Sequence, residues 1–132
     1  MPSIGRTAAA VLSCAIWFAP VPAQAQEPPA AISALALSAV TRSGPPEFRT
    51  TTLLCAPQQT GSHPDPVGAC TELSAAQGDF AALTGEPAAC PMIYEPVSLL
   101  VVGVWDGRPV SYQREFANSC VLANAARHVY KF

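Results

Sequence analysis

Four cysteines, Cys55, Cys70, Cys90 and Cys120, divide the C-terminal part of this 132-residue chain at intervals of 15, 20 and 30 residues. They constrain the fold more than any other feature. An even set of widely spaced cysteines in a small exported domain reads as a disulfide framework, which staples a core too small to hold alone. Four cysteines allow three connectivities, and spacing alone does not choose among them. Zinc would require close Cys-x2–4-Cys pairs. None is present, so no metal is expected.

The fifth cysteine, Cys14, lies in a different kind of segment. Arg6 makes a short positive start, Thr7 to Ala19 is apolar, and Pro20, Pro22 and Ala23-Gln24-Ala25 follow. That is the layout of a secretory signal with a small-x-small cleavage site. The apolar run is too short to span a bilayer core of ~30 Å as a helix. Residues 1–25 are therefore expected to be a signal peptide, and residues 26–132 the mature domain. Acylation at Cys14 fits badly, because bulky Leu12 stands where a small residue is needed and the apolar run continues past the cysteine. The expected location is outside the cell, or in the periplasm if the host has an outer membrane.

Half the residues are apolar and 12% are charged, enough to fill one core, and the formal net charge is -2. Nothing in that balance favours nucleic acid or an anionic membrane surface. The two histidines, His63 and His128, leave little for histidine chemistry. There is no Gly-rich phosphate loop, no Gly-x-Ser-x-Gly turn and no His-Glu-x-x-His, so neither an enzyme nor a cofactor is expected. His63, in Gly61-Ser62-His63-Pro64, reads as a loop histidine making local hydrogen bonds.

The fourteen prolines argue against long helices. Residues 26–31 read as a loose tail. Ile32 to Val40 alternates as a strand does, with Leu35 and Leu37 on one side. Phe48 to Leu54, rich in Thr, is a second strand. Asp65-Pro66 is a helix start, and Ala69, Leu73 and Ala76 recur at helical spacing before Gly78 ends the helix. Asp79 caps a second short helix with Phe80 and Leu83, stopped by Gly85. Val97 to Trp105 is a strand, Asp106-Gly107 a two-residue hairpin turn, and Arg108 to Phe116 the return strand. His128 to Phe132 reads as a last strand. The fold expected is α+β: an antiparallel sheet of about five strands with two short helices packed on one face. Val97 to Val104 is apolar on both faces, so both need cover. A second copy of the chain is the simple candidate for the face without helices.

One loop remains, Ala89-Cys90-Pro91-Met92-Ile93-Tyr94-Glu95-Pro96. Cys90 can anchor one end covalently, Pro91 fixes its own φ near about −65°, and Pro96 stiffens the far end. Between the prolines stand three large apolar or amphipathic side chains. A rigid extended segment presenting such side chains outward is what a protease cleft accepts as a strand. Its rigidity reduces the ordering entropy lost on binding. Met92, Ile93 and Tyr94 are equally open to a second reading, as core residues of an irregular segment.

The chain resembles the subtilisin inhibitor family of Streptomyces, secreted dimeric inhibitors of serine proteases. The resemblance is carried by Cys55-Ala56-Pro57 with Gly61-Ser62-His63-Pro64 and Ala69-Cys70, and by Cys90-Pro91-Met92-Ile93-Tyr94-Glu95-Pro96-Val97. Gly103-Val104-Trp105-Asp106-Gly107 with Val110-Ser111-Tyr112 adds to it, as do Phe116-Ala117-Asn118-Ser119-Cys120 and the aromatic end. It runs from about residue 32 to residue 132.

The resemblance implies disulfides Cys55–Cys70 and Cys90–Cys120. It places the reactive bond between Met92 and Ile93, with Ala89, Cys90, Pro91, Tyr94 and Glu95 as the flanking residues that touch the protease. Asn118 would lie behind the loop and hydrogen-bond its backbone. A homodimer joined through the sheet is also implied, as is a subtilisin-like serine protease as partner. Met92 suits a roomy apolar pocket. Ala89 is small where an extended subtilisin cleft suits a large apolar residue. The alternative in another class is a non-inhibitory binding or chaperone-like module using the same loop. A small secreted hydrolase has little support from the residues present.

Overall fold

The computed structural model describes residues 14–25 and 30–132. The expected cleavage point and most of the expected tail, residues 26–29, lie outside the described residues, as does the positive start at Arg6. Residues 14–25 form no helix or strand and are exposed. Among the described residues, no helix is long and apolar enough to cross a membrane.

Alternating apolar residues and β-branched runs give four strands: β1 (Ser33–Thr41), β2 (Glu47–Ala56), β3 (Val97–Trp105) and β4 (Arg108–Phe116). They form one antiparallel sheet in the order β2-β1-β3-β4. In the two central strands Leu37 lies opposite Val101, and Ala39 opposite Leu99. Asp106 (φ 49°) and Gly107 (φ 73°) both take the left-handed conformation that the β3–β4 hairpin needs.

Two helices and a single 3-10 turn lie on one face. Helix α1 (Pro66–Ala75) begins as its sequence requires, with the Asp65 carboxylate accepting from the Gly68 N–H at 3.0 Å and proline in the first turn. It ends where Gln77 and Gly78 turn left-handed. The expected second helix is the 3-10 turn Phe80–Ala82, capped by Asp79 as anticipated. The second helix proper, α2 (Ser119–Asn124), follows β4 and was not expected.

The core lies between the helical layer and one face of the sheet. Leu35, Leu37 and Ala39 of β1, Leu53 of β2, Leu99 and Val101 of β3 and Phe116 of β4 meet Leu73 of α1, Leu122 of α2, Phe80 and Val129. Each fully buried leucine contributes roughly 1.5–3 kcal/mol by leaving water. Phe80 stacks on Tyr112 at 5.7 Å between ring centres. Disulfide Cys55–Cys70 ties β2 to α1, and Cys90–Cys120 ties the 86–96 segment to α2, the pairing the resemblance implies. Closing loops of 15 and 30 residues contributes ~3 and ~4 kcal/mol through the unfolded chain.

Two expectations need correction. The sheet has four strands, not about five, because His128 to Phe132 is not a strand. Where it begins, a side chain takes the place of a neighbouring strand: the Glu72 carboxylate accepts from the N–H groups of Arg127 (2.7 Å), His128 (2.7 Å) and Val129 (3.0 Å). His63, second, is not merely a local loop residue. It is 3% exposed, and its bonds run both ways. Nδ1 accepts from the Asp65 N–H at 3.0 Å, so the proton sits on Nε2, which donates to the Val129 carbonyl at 3.1 Å. His63 thus locks the C-terminal turn onto the loop before α1.

The opposite face of the sheet carries no helix. Leu100 and Val102 are each 43% exposed there, beside Ala34, Ala36 and the half-buried Leu54. On β4 the same face turns polar, with Ser111, Gln113 and Glu115.

Candidate functional site

Between the 3-10 turn and β3 the chain has neither helix nor strand, as three prolines dictate. At its centre Met92 is 104% exposed, Ile93 54% and Tyr94 74%. The outward presentation is the one adopted; these residues are not in the core. Ala89, Pro91 and Glu95 are exposed as well, and Cys90 is half-buried.

The exposed side chains contrast with a backbone held at several points. Cys90 is bonded to Cys120 in α2. Asn118, the N-cap of α2, is buried, and its side chain is used at both ends. Oδ1 accepts from the Val121 N–H at 2.9 Å, which starts the helix. Nδ2 donates to the Pro91 carbonyl at 3.2 Å and to the Ile93 carbonyl at 2.8 Å. The Met92 carbonyl lies between the two that Asn118 holds. Beyond it, the Glu95 N–H donates to the Ala117 carbonyl at 2.9 Å, and the Pro96 carbonyl accepts from the Arg42 N–H at 3.0 Å. The loop therefore joins β3 without a slack segment.

Two further supports were not legible from the residues. The Asn124 amide at the other end of α2 points at the bridge, with Nδ2 3.2 Å from Cys90 Sγ and 3.5 Å from Cys120 Sγ. Gly85 passes so close to α2 that a Cβ there would run into the Asn124 carbonyl. Helix α2 is thus the template for both limbs of the loop. The pattern Asn118-Ser119 before an apolar turn was the available signal, since asparagine and serine favour helix starts.

Glu95 is the one carboxylate of the 89–96 loop. It borders a polar groove with Thr41, Glu47, Arg49 and Ser119 beside the C-terminal limb. The perturbed groups lie elsewhere. Asp65 is held below the usual carboxylate range, first by the Gly68 N–H and then by the His128 imidazole 2.8 Å away. Burial pushes the Tyr130 phenol well above its usual value. Among the described residues, no group of three or more His, Cys, Asp or Glu side chains is placed to hold a metal ion. The arrangement offers no nucleophile with an adjacent base. What it offers is an extended, prestrung backbone with free side chains, a shape for binding in a cleft.

Comparison with known proteins gives one answer. Residues 30–118 match the subtilisin inhibitor-like family. The chain is 41% identical to the subtilisin inhibitor of Streptomyces albogriseolus over 136 residues, covering 99% of this chain and 94% of that protein. It is 42% identical to subtilisin inhibitor-like protein 5 of Streptomyces fradiae over 106 residues, covering 80% of this chain and 98% of that protein. Among solved structures it is similar to sermetstatin of Streptomyces caespitosus, determined in complex with Bacillus licheniformis subtilisin. The identity is 35% and the TM-score 0.62, covering 76% of this chain and 99% of that one. Matches that run through sheet, helices and loop together leave one assignment, and the chain belongs to the subtilisin inhibitor-like family.

Proposed function

We propose that this protein is a substrate-like inhibitor of subtilisin-type serine proteases, with Met92–Ile93 as its reactive bond. The family is one of protease inhibitors, not enzymes. One observation carries the choice of bond. Met92 is wholly free, while the carbonyls on either side of its own are fixed by Asn118.

The mechanism follows from that geometry. The loop enters the cleft already extended, so little ordering entropy is lost. Met92 fills the primary pocket, and the protease serine meets its carbonyl. If the bond is cut, the new end at Met92 stays tethered through Cys90 to α2, and the new end at Ile93 stays held through Asn118 and Glu95. The two ends cannot diffuse apart, so religation competes with release. Tight binding from an interface of ordinary size is typical of such pairs. An apolar, unbranched side chain suits the pocket of subtilisin-like enzymes. A trypsin-type pocket would be left with its buried carboxylate unpaired, so trypsin is inhibited poorly.

The same reading includes export directed by residues 1–25, with the mature protein outside the cell or in the periplasm. It also includes a homodimer formed through the uncovered sheet face around Leu100 and Val102, whose exposed apolar side chains support it.

Titrating the purified protein against active-site-counted subtilisin, with trypsin alongside, tests the function. The expected result is stoichiometric loss of subtilisin activity with trypsin spared. No inhibition at micromolar protein, with both disulfides confirmed, would overturn it in favour of a binding module of another kind.

A further inference from the structure

Met92 combines three properties that together have a chemical consequence. The sequence contains two methionines, Met1 and Met92, so Met92 is the sole thioether in the described fold. Its side chain is wholly exposed, and nothing in the protein shields the sulfur. Every contact that shapes the loop uses backbone atoms or the Cys90 bridge, not the Met92 side chain.

We propose that Met92 is an oxidation site, and that peroxide switches the inhibitor off there without unfolding it. The inference rests on the reading of Met92 as the residue that fills the protease pocket. The thioether sulfur attacks the peroxide O–O bond. One oxygen is transferred to form the S=O bond, and the other leaves as water after a proton shift. Sulfur is oxidised by two electrons and hydrogen peroxide is reduced. The product is a polar, tetrahedral sulfoxide at the end of a side chain that had been apolar and flexible. In free protein this costs nothing, because the group stays in water. In the complex the S=O dipole must enter an apolar pocket with no donor to satisfy it. The whole penalty therefore falls on binding.

The fold offers peroxide few competing targets. The cysteines at 55, 70, 90 and 120 are already paired, and the free thiol among the described residues is Cys14, in the segment expected to be removed.

The test treats the purified protein with hydrogen peroxide and locates the added oxygen by peptide mapping. The expected result is one oxygen on Met92, an inhibition constant for subtilisin raised at least about tenfold, and an unchanged thermal midpoint. Methionine sulfoxide reductase should restore the lost potency. The Met92→Leu variant, compared with its own untreated sample, should not respond to peroxide. Oxygen on Met92 with undiminished inhibition would overturn the proposal. So would a Met92 that resists peroxide sufficient to oxidise free methionine, or an equal peroxide response in Met92→Leu. Failure of the untreated protein to inhibit is a separate result: it removes the reading of the loop itself and this inference with it.

Discussion

The Asn118 amide and the Ile93 carbonyl, 2.8 Å apart, join the cap of a helix to the exposed loop. The same side chain caps α2 through its oxygen, so helix and loop are fixed by one residue. Replacing Asn118 with alanine removes both interactions. Loss of the cap should cost about 1 kcal/mol of stability. Loss of the two carbonyl bonds should raise the rate at which bound subtilisin cuts Met92–Ile93 about tenfold. Asn118→Asp keeps an acceptor for Val121 but offers the carbonyls no donor. It should be cut as fast as the alanine variant while losing less stability. Equal resistance to cutting in both variants and wild type would remove Asn118 from the account.

Met92→Asp should weaken subtilisin inhibition at least about a hundredfold, because an unpaired charge would enter an apolar pocket. Its thermal midpoint should not move, since the Met92 side chain is wholly exposed. Met92→Lys should gain inhibition of trypsin, whose pocket supplies the missing counter-charge. Inhibition constants for both enzymes settle the point, and an aspartate variant as potent as wild type would place the reactive bond elsewhere.

Asp65 gives the protein an acid-sensitive contact. Its carboxyl is held below its ordinary value of 3.8, first by the Gly68 N–H and then by His128. A depressed folded value means the contribution is present above 3.8 and is lost as pH falls through the folded value. Asp65→Asn keeps the helix cap but not the charge. The gap in thermal midpoint between wild type and this variant should shrink as pH falls through 3.8 and further into acid. Salt should narrow it further, because Asp65 and His128 are both about half exposed. A gap that stays constant across that range would contradict the assignment.

Tyr130 should behave in the opposite sense at alkaline pH. Burial chiefly, and the neighbouring Tyr112, push its phenol above the ordinary value of 10.0. The stability tied to the neutral phenol is present below 10.0 and is lost as pH rises through the folded value. Its hydroxyl has no hydrogen-bond partner among the described residues. Tyr130→Phe should therefore be neutral or stabilising by up to about 1 kcal/mol at neutral pH, and should resist alkaline unfolding better than wild type. Denaturant titrations at neutral and alkaline pH measure both effects. A loss of more than about 2 kcal/mol at neutral pH would show a bonded hydroxyl.

Val102→Asp should abolish self-association. The side chain lies on the uncovered face, where a second copy would have to bury the charge. Light scattering after size exclusion should give twice the mature chain mass for wild type and the single mass for the variant. A monomeric wild type would leave that face unexplained.

Much of this fold could be read from local rules. Asp65-Pro66, Asp79 and Asp106-Gly107 each act within a few residues, and the helix start, 3-10 turn and hairpin stand where they predict. Alternation in β1 put Leu35 and Leu37 together on the face that is buried, whereas β3, apolar on both faces, offered no such choice. The failures share a cause. His128 to Phe132 has strand composition, but Glu72, more than fifty residues earlier, accepts from its first two N–H groups. His63 looked local because its second partner, Val129, is equally remote in sequence. In the loop, apolar residues between prolines were compatible with either burial or display, and resemblance, not residue chemistry, distinguished them. Asn124 and Gly85 were invisible because their importance lies in a close approach between segments.

The order β2-β1-β3-β4 places side by side two strands that α1 and the whole exposed loop separate in sequence. The β1–β2 hairpin can form early, but β1 keeps an unpaired backbone edge until β3 arrives. Pairing between such distant segments is slow, because loop closure must come first. A ribosome therefore releases most of this chain before its sheet can be completed. Until then β1 has a neighbour on one side alone, and the face that packs on α1 has only half its strands. The strand order thus makes the finished sheet a late event, one that waits for the second half of the chain.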